Sequence, residues 1–179
     1  MAEKIRFATV WLDGCSGCHM SFLDMDERLI ELADQVDVVC SPYVDTKGFP
    51  QEVDLTLVEG SVSSTEDLEK LHKIRKNSRL IVALGDCAVT GNVSAMRNLV
   101  GVEKALVQCY DELSDHNTGK RPCRVVPAML ERVAPLHEHV PIDYFLPGCP
   151  PPADAIHALL MSLITGEAIN IYDYTRFGK

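Results

Sequence analysis

The sequence has no apolar run that approaches the roughly 18 residues a membrane-spanning helix needs. Positive charge is also scarce, because 17 Lys and Arg residues face 26 Asp and Glu residues and leave a formal net charge of −9. A nucleic-acid surface requires clustered Lys and Arg side chains. We therefore expect neither a membrane span nor a nucleic-acid partner.

An export signal is missing as well. The first residues, "MAEKIRFATVWLDGC", enter a strand-like run almost at once, without a charged and then apolar leader, a small-residue cleavage site or a twin-arginine motif. With this N-terminus we expect a cytoplasmic protein. Disulfides are rare in that compartment, so the 7 cysteines favour metal binding or redox chemistry over a disulfide framework.

Apolar residues are plentiful, at 46% of 179 residues against 24% charged residues, and they suffice for a sizeable core. We see no internal repeat and expect one domain over residues 1–179. The strand-like runs are residues 5–12, 36–44, 53–62 and 79–89 and the run that stops at the proline of "IDYFLPG". The helical patterns are residues 21–34, 102–113, 128–133 and 153–166, and one that begins with Ser63 and Glu66 at capping-box spacing.

Strands that alternate with helices in this way predict an α/β fold. We expect a flavodoxin-like three-layer sandwich, with a mostly parallel sheet covered by helices on both faces. In such folds, ligands bind at the carboxyl ends of the strands, near the point where the strand order reverses. Residues that directly follow strands are therefore the first candidates for a functional site.

Four cysteines occupy such positions. Cys15 and Cys18 follow the first strand in "DGCSGCH", Cys87 follows the fourth in "LGDCAVTG", and Cys149 follows the fifth in "LPGCPP". All four are therefore expected at one edge of the sheet. Four thiolates that meet at one place can hold a [4Fe–4S] cluster or a structural zinc ion.

Two features favour the cluster. Glycines precede the cysteines by one or two residues, and glycine lets backbone N–H groups approach cluster sulfides closely. The cysteines are also dispersed, whereas small zinc sites use compact Cys-x2-Cys or Cys/His pairs. Zinc, a thioredoxin-type dithiol and plain thiols remain alternatives at this point, although a dithiol leaves two cysteines unexplained. The glycines are Gly14, Gly17, Gly85 and Gly148.

Four sequence blocks, taken in order, carry a family resemblance. The blocks "WLDGCSGCHMS", "LVEGSV", "ALGDCAVTGN" and "LPGCPPP" together resemble the small subunit of [NiFe] hydrogenases over about residues 10–165. The sequence is most similar to the short cytoplasmic small subunit of the NAD-reducing, bidirectional branch. Longer periplasmic small subunits carry a leader and two further clusters, for which this sequence has no motifs.

The resemblance implies that Cys15, Cys18, Cys87 and Cys149 bind one proximal [4Fe–4S] cluster. It also implies a large partner subunit that holds the nickel–iron centre, and diaphorase subunits that carry iron–sulfur clusters, FMN and NAD. The expected role of this chain is to relay electrons between these partners. No catalytic residue is expected on the chain itself.

The family pattern is matched only in part around the first two cysteines. Many family members have glutamate where Gly14 stands, and several have glutamate in place of Met20. Ser21 and Glu59 match the pattern and are predicted to lie beside the site, with His19. The ordinary alternative for Glu59 is a carboxylate that caps a nearby loop, and for His19 a polar residue at the start of a helix.

Two rival functions follow from the same residues. One is the cluster-bearing subunit of respiratory complex I, which resembles this chain but typically has adjacent cysteines in its first motif. The other is an FMN-binding flavodoxin-like module, although "DGCSGCH" places thiols where a phosphate loop needs Ser, Thr and Gly. A cofactor-free assembly subunit is disfavoured by the four intact cysteines. We assign no role to Cys40, Cys109 or Cys123.

Overall fold

The computed structural model describes residues 4–46, 48–113, 121–170 and 173–174. Five parallel strands form its central sheet, in the order β2-β1-β3-β5-β7, and two antiparallel strands, β4 and β6, pair beside it. The strands are β1 (Ile5–Trp11), β2 (Val36–Cys40), β3 (Val53–Glu59), β4 (Val62–Ser64), β5 (Ser78–Leu84), β6 (Met129–Ala134) and β7 (Tyr144–Leu146). Counted along the chain, the main sheet has the flavodoxin-like order 2-1-3-4-5, and the predicted fold is confirmed.

Helices cover the sheet. They are α1 (Gly17–Leu23), α2 (Arg28–Gln35), α3 (Thr65–Asn77), α4 (Gly85–Thr90), α5 (Val102–Leu106) and α6 (Ala153–Thr165). Short 3-10 helices span Ser94–Leu99 and Leu136–Glu138, and a π-helical turn spans Val107–Glu112. In the described ranges, none of these helices is long and apolar enough to cross a membrane.

Two apolar cores lie on opposite faces of the sheet, because side chains along each strand alternate between the faces. Leu57 and Val82 belong to one core, which also contains Phe22 of α1 and Ile156 of α6. The neighbouring strand residues point the other way, into a core with α3; Val58, Ile81, Leu71 and Ile74 are examples. The three predicted layers are therefore present, and buried parallel strands account for the continuous apolar runs in the sequence.

Several predicted boundaries were wrong. The helix expected at 21–34 is two helices, because the chain bends between them at Asp26, which has a φ of +57°. The strand expected at 79–89 ends at Leu84, since Gly85 takes a φ of +82° and begins α4. The strand expected at 53–62 ends at Glu59, where Gly60 turns the chain with a φ of +93°.

The capping box of α3 lies one residue later than predicted. The Ser64 hydroxyl accepts from the Asp67 N–H at 3.2 Å, and the Asp67 carboxylate accepts from the Ser64 N–H at 3.0 Å. The short helix expected at 128–133 is strand β6. It pairs with β4 from Val62 opposite Ala134 to Ser64 opposite Met129, so a long-range pairing overrides the local pattern.

Candidate functional site

The four predicted cysteines lie at the carboxyl edge of the main sheet. Cys15 is in the loop after β1, Cys18 is in the first turn of α1, Cys87 is in the first turn of α4, and Cys149 is in the loop after β7. Cys18 and Cys87 are buried, whereas Cys15 and Cys149 are exposed. All four are free thiols, so each can act as a ligand once it is deprotonated.

The fold brings these four thiols into one electrostatic neighbourhood. Burial raises the pKa of Cys18 far above the usual thiol range, and negative charge on Glu59, Cys87, Cys15 and Cys149 raises it further. Burial also raises the pKa of Cys87, and Cys149 and Cys15 add to that effect. Thiols from three distant motifs therefore lie near enough to influence one another's charge, and their role as ligands stays a prediction.

The donor set bears on which metal group the four thiols could hold. Four cysteine thiolates are the usual ligands of a [4Fe–4S] cluster, in which each binds a different iron. Four thiolates also hold some structural zinc ions. The residues present therefore fit a cluster.

Gly85 shows how closely the backbone approaches the thiols. A Cβ atom at this position would collide with the Cys18 Sγ atom, and the φ of +82° is one that L side chains rarely adopt. At Gly148, which has a φ of +141°, a Cβ would lie 2.6 Å from the Pro151 Cα atom. These two of the four glycines predicted to flank the site are therefore needed for the path of the backbone.

Two cysteine loops are joined by Asp86. Its backbone N–H donates to the Gly148 carbonyl at 2.8 Å, and its carboxylate accepts from the Gly148 N–H at 2.7 Å. This reciprocal pair of hydrogen bonds fixes the Cys87 segment against the Cys149 segment. Sequence reasoning missed Asp86, although its place directly before Cys87 in "GDC" was a usable signal.

The first cysteine loop is fixed in the same way to the end of β3. Asp13 and Ser61 exchange two backbone hydrogen bonds of 3.1 and 2.7 Å, and the Leu12 N–H donates to the Glu59 carbonyl at 2.9 Å. The loops after β1 and β3 therefore act as one unit. These strands flank the point where the strand order reverses, the expected place for a site.

Glu59 and His19, both predicted beside the site, form a buried pair. The Glu59 Oε2 atom accepts from the backbone N–H of His19 at 2.8 Å and lies 2.5 Å from its Nδ1 atom. Both side chains are almost fully buried, with exposed fractions of 2% and 3%. Glu59 thus caps the first turn of helix α1 and not a loop, and it lies close enough to Cys18 to raise the pKa of that thiol.

His19 keeps one polar atom without a protein partner. Its Nε2 atom is buried and has no hydrogen bond within the described residues, and its ring meets the edge of Tyr43 at a centroid distance of 5.9 Å. Burial, and secondarily Glu59, raises the pKa of Tyr43. A buried nitrogen without a partner is uncommon in folded proteins.

Ser21 has a bridging role. Its buried hydroxyl donates to the Pro151 carbonyl at 2.5 Å, which ties α1 to the segment that follows Cys149. The predicted neighbours Gly14 and Gly17 lie in the Cys15–Cys18 segment or directly before it, and a Cβ on Gly17 would approach the Cys15 Sγ atom to 3.3 Å. Met20, two residues after Cys18 in α1, is 57% exposed.

The remaining cysteines occupy other environments. Cys40 ends β2 and is partly buried, and burial raises its pKa although Lys73 lowers it. Cys109 lies in the π-helical turn, and Cys123 lies before β6; both are exposed. Neither Cys109 nor Cys123 is among the groups that shift the pKa of Cys18 or Cys87.

Comparisons with known proteins place this geometry in a family context. A sequence profile of the family described as "NADH ubiquinone oxidoreductase, 20 Kd subunit" matches residues 15–163. The delta subunit of the NAD-reducing hydrogenase HoxS of Cupriavidus necator is 40% identical over an alignment 180 residues long, gaps included. The alignment covers 95% of this chain and 86% of that protein. One subunit of the F420-non-reducing hydrogenase of Methanothermobacter thermautotrophicus is 36% identical, and the match covers 96% of this chain but 57% of that protein.

Solved structures give the same result. A chain in the crystal structure of an NAD+-reducing [NiFe]-hydrogenase in the H2-reduced state matches with a TM-score of 0.91 and 43% identity, over 98% of this chain and 99% of that one. A chain of the [NiFeSe]-hydrogenase of Dm. baculatum matches with a TM-score of 0.62 and 17% identity, over 97% of this chain and 66% of that one. The second likeness concerns the fold alone. The resemblance predicted from the four sequence blocks is confirmed.

Proposed function

The chain belongs to the family described as "NADH ubiquinone oxidoreductase, 20 Kd subunit", and on this premise we propose that it is the electron-transfer small subunit of an NAD-reducing [NiFe] hydrogenase. The convergence of four cysteines at the carboxyl edge of the sheet carries this proposal. Two relatives, at 40% and 43% identity, match this chain over most of their own length as well, and both are named as NAD-reducing hydrogenases, which supports this branch of the family.

One [4Fe–4S] cluster is the proposed cofactor, with Cys15, Cys18, Cys87 and Cys149 as its ligands. When bound, such a cluster supplies one-electron transfer. The protein contributes the ligands, holds their loops together through Asp86, and excludes water from the side on which two of the thiols are buried. These contributions determine where the cofactor sits and how easily it accepts an electron.

The proposed partners follow from the same assignment. We expect a large subunit that carries the nickel–iron centre, and diaphorase subunits that carry iron–sulfur clusters, FMN and NAD. Exposed apolar side chains adjoin the first two cysteines in the chain, among them Trp11 at 47% before Cys15 and Met20 at 57% after Cys18. An obligate subunit interface covers apolar side chains of this kind. A cytoplasmic location and a single domain over residues 1–179 stay predictions.

The two rivals are weaker on specific grounds. The complex I branch shares the family profile, but the first motif here separates its cysteines by Ser16 and Gly17, and Ser16 adopts a left-handed φ of +63° to do so. For an FMN module, the phosphate would bind in the loop after β1. That loop carries the Cys15 thiol, leads directly to Cys18 in the first turn of α1, and is bonded to the end of β3.

A cofactor count tests the proposal directly. The native complex is purified anaerobically through a tag on this chain, and nickel, iron, acid-labile sulfide and flavin are measured in one sample, with the co-purifying chains identified by mass. We expect nickel with iron and sulfide, and flavin on a co-purifying chain. Iron and sulfide without nickel would favour the complex I branch instead. Zinc alone, or flavin on this chain without iron, would overturn the assignment of the four cysteines.

The ligand set is tested by Cys149→Ser in the same complex. We expect loss of the cluster on this chain and a fall of hydrogen-dependent NAD reduction to background, because a hydroxyl replaces one thiolate ligand. Cys123→Ser is the matched control, since Cys123 is also exposed but lies away from the thiol edge. A Cys149→Ser complex with full iron content and normal NAD reduction would contradict the assignment.

A further inference from the structure

The turn Gly91–Val93, directly after α4, places a side-chain donor on one of the four cysteines. The Asn92 Nδ2 atom lies 3.4 Å from the Cys149 Sγ atom, within the range of a hydrogen bond to sulfur. Cys149 belongs to the loop after β7, which is 57 residues away along the chain. Asn92 therefore contacts a cysteine that only the tertiary fold brings near it.

The same turn is also bonded to the segment of a second cysteine. The backbone N–H of Gly91 donates to the Cys87 carbonyl at 3.0 Å. The position of Asn92 is therefore fixed relative to the Cys87 segment as well as to Cys149.

The conformation of the turn explains why these residues stand there. Gly91 ends α4 with a φ of +84°, and a Cβ at this position would lie 2.9 Å from the Ala95 Cβ atom. Asn92 then takes a φ of +35°, in a region that non-glycine residues seldom adopt and that asparagine tolerates better than most. Of the residues that tolerate this backbone, glycine has no side chain and aspartate has no amide donor.

We propose that the turn Gly91–Val93 tunes the cluster, with Asn92 as a positioning residue that raises its reduction potential through the hydrogen bond to Cys149. This inference rests on the proposed function. Reduction adds negative charge to the cluster and its thiolates, and N–H donors stabilise the more negative state. Removing a donor therefore makes the cluster harder to reduce. Hydrogen bonds to the ligand atoms of a metal centre commonly determine such properties.

The test uses the purified hydrogenase complex and the potential at which the cluster on this chain is half-reduced, followed by its EPR signal. Asn92→Gly removes the donor and suits the left-handed backbone. We expect full iron content and a shift to a more negative potential. Asn92→Asp replaces the amide by a carboxylate of the same shape, and we expect a larger shift in the same direction because it adds negative charge.

Ser94→Ala is the matched control. Ser94 lies two residues further along, and its hydroxyl donates to the Asp13 carbonyl at 3.3 Å, so its loss should leave the potential unchanged. A wild-type potential in Asn92→Gly with full iron would overturn the inference. Loss of iron from Asn92→Gly would also overturn it, because Asn92 would then be needed to retain the cluster. A wild-type complex without iron on this chain would instead overturn the proposed function.

Discussion

The two ends of the main sheet differ in how their polar groups are satisfied. At the amino edge, polar groups bind one another. The Asp54 carboxylate accepts from the backbone N–H of Arg6 at 2.9 Å. The Asp143 carboxylate accepts from Arg75 at 2.7 Å and from the backbone N–H of Ile81 at 2.8 Å. These groups use ordinary charge-assisted hydrogen bonds.

At the carboxyl edge, groups with unused bonding capacity are brought together. Cys18 and Cys87 are buried thiols whose pKa values are raised, and the His19 Nε2 atom is buried without a partner within the described residues. Such an arrangement costs folding free energy. This difference between the two edges supports the cofactor site proposed at the carboxyl edge.

Gly85→Ala, at the carboxyl edge, should cause the largest loss of stability and of iron among the variants that test this difference between the edges. The added Cβ collides with the Cys18 Sγ atom and the backbone is held at a φ of +82°. Strain and overpacking together should lower the free energy of unfolding by about 2–5 kcal/mol, and most of the iron on this chain should be lost. Urea unfolding of the purified chain and the iron content of the complex measure these two effects.

Gly166→Ala is the control for backbone strain alone. Gly166 has a φ of +77°, and a Cβ there would meet no atom within 4 Å among the described residues. We expect a loss of about 1–2 kcal/mol with full iron content. Equal iron content in the two variants would show that the close approach at Gly85 is not needed for the cofactor.

The second-largest effect is expected when the buried Glu59 carboxylate at the carboxyl edge is removed. Removal of the partly exposed Asp54 carboxylate at the amino edge is the comparison. Glu59→Ala leaves the His19 Nδ1 atom and the His19 backbone N–H without their acceptor in a buried site. We expect a loss of about 2–4 kcal/mol in the free energy of unfolding. Asp54→Ala removes an acceptor from the part-buried N–H of Arg6, and about 1 kcal/mol is expected there.

Glu59→Gln refines this comparison. The amide keeps an oxygen that accepts from one His19 donor, so it should retain more than half of the stability that Glu59→Ala loses. All three variants are compared by urea unfolding at one pH. If Glu59→Ala cost no more than Asp54→Ala, the buried pair would not be a main support of the first cysteine loop.

Much of the candidate site was predictable because its proposed ligands follow strands directly. Apolar runs identify parallel strands, and a cysteine after such a run must lie at the carboxyl edge whatever the details of the helices. The prediction therefore tolerated errors in strand length. Residues 79–89 show this, since the true strand ends at Leu84 but Cys87 still lies at the predicted edge.

The missed features depend on contacts between distant segments. Strand β6 forms because β4 offers it an edge, and the sequence "MLERVA" alone does not indicate this pairing. Asp86, Ser61 and Asn92 act through backbone groups or sulfurs of other loops. Nothing in their local sequence specifies which distant atom each of them meets.

The smallest effect concerns Cys40, which lies at the carboxyl end of β2 but outside the proposed ligand set. Cys40→Ser should keep full iron content, and complete loss of iron from this chain would show that the ligand set is misassigned.

Burial raises the pKa of the Cys40 thiol, and the positive charge of Lys73 partly offsets this by lowering it. A higher pKa means that less thiolate is present at a given pH. Lys73→Met removes the lowering influence. The alkylation rate of Cys40 at pH 8, followed by mass spectrometry, should therefore fall in this variant, and an unchanged rate would mean that Lys73 does not act on the thiol.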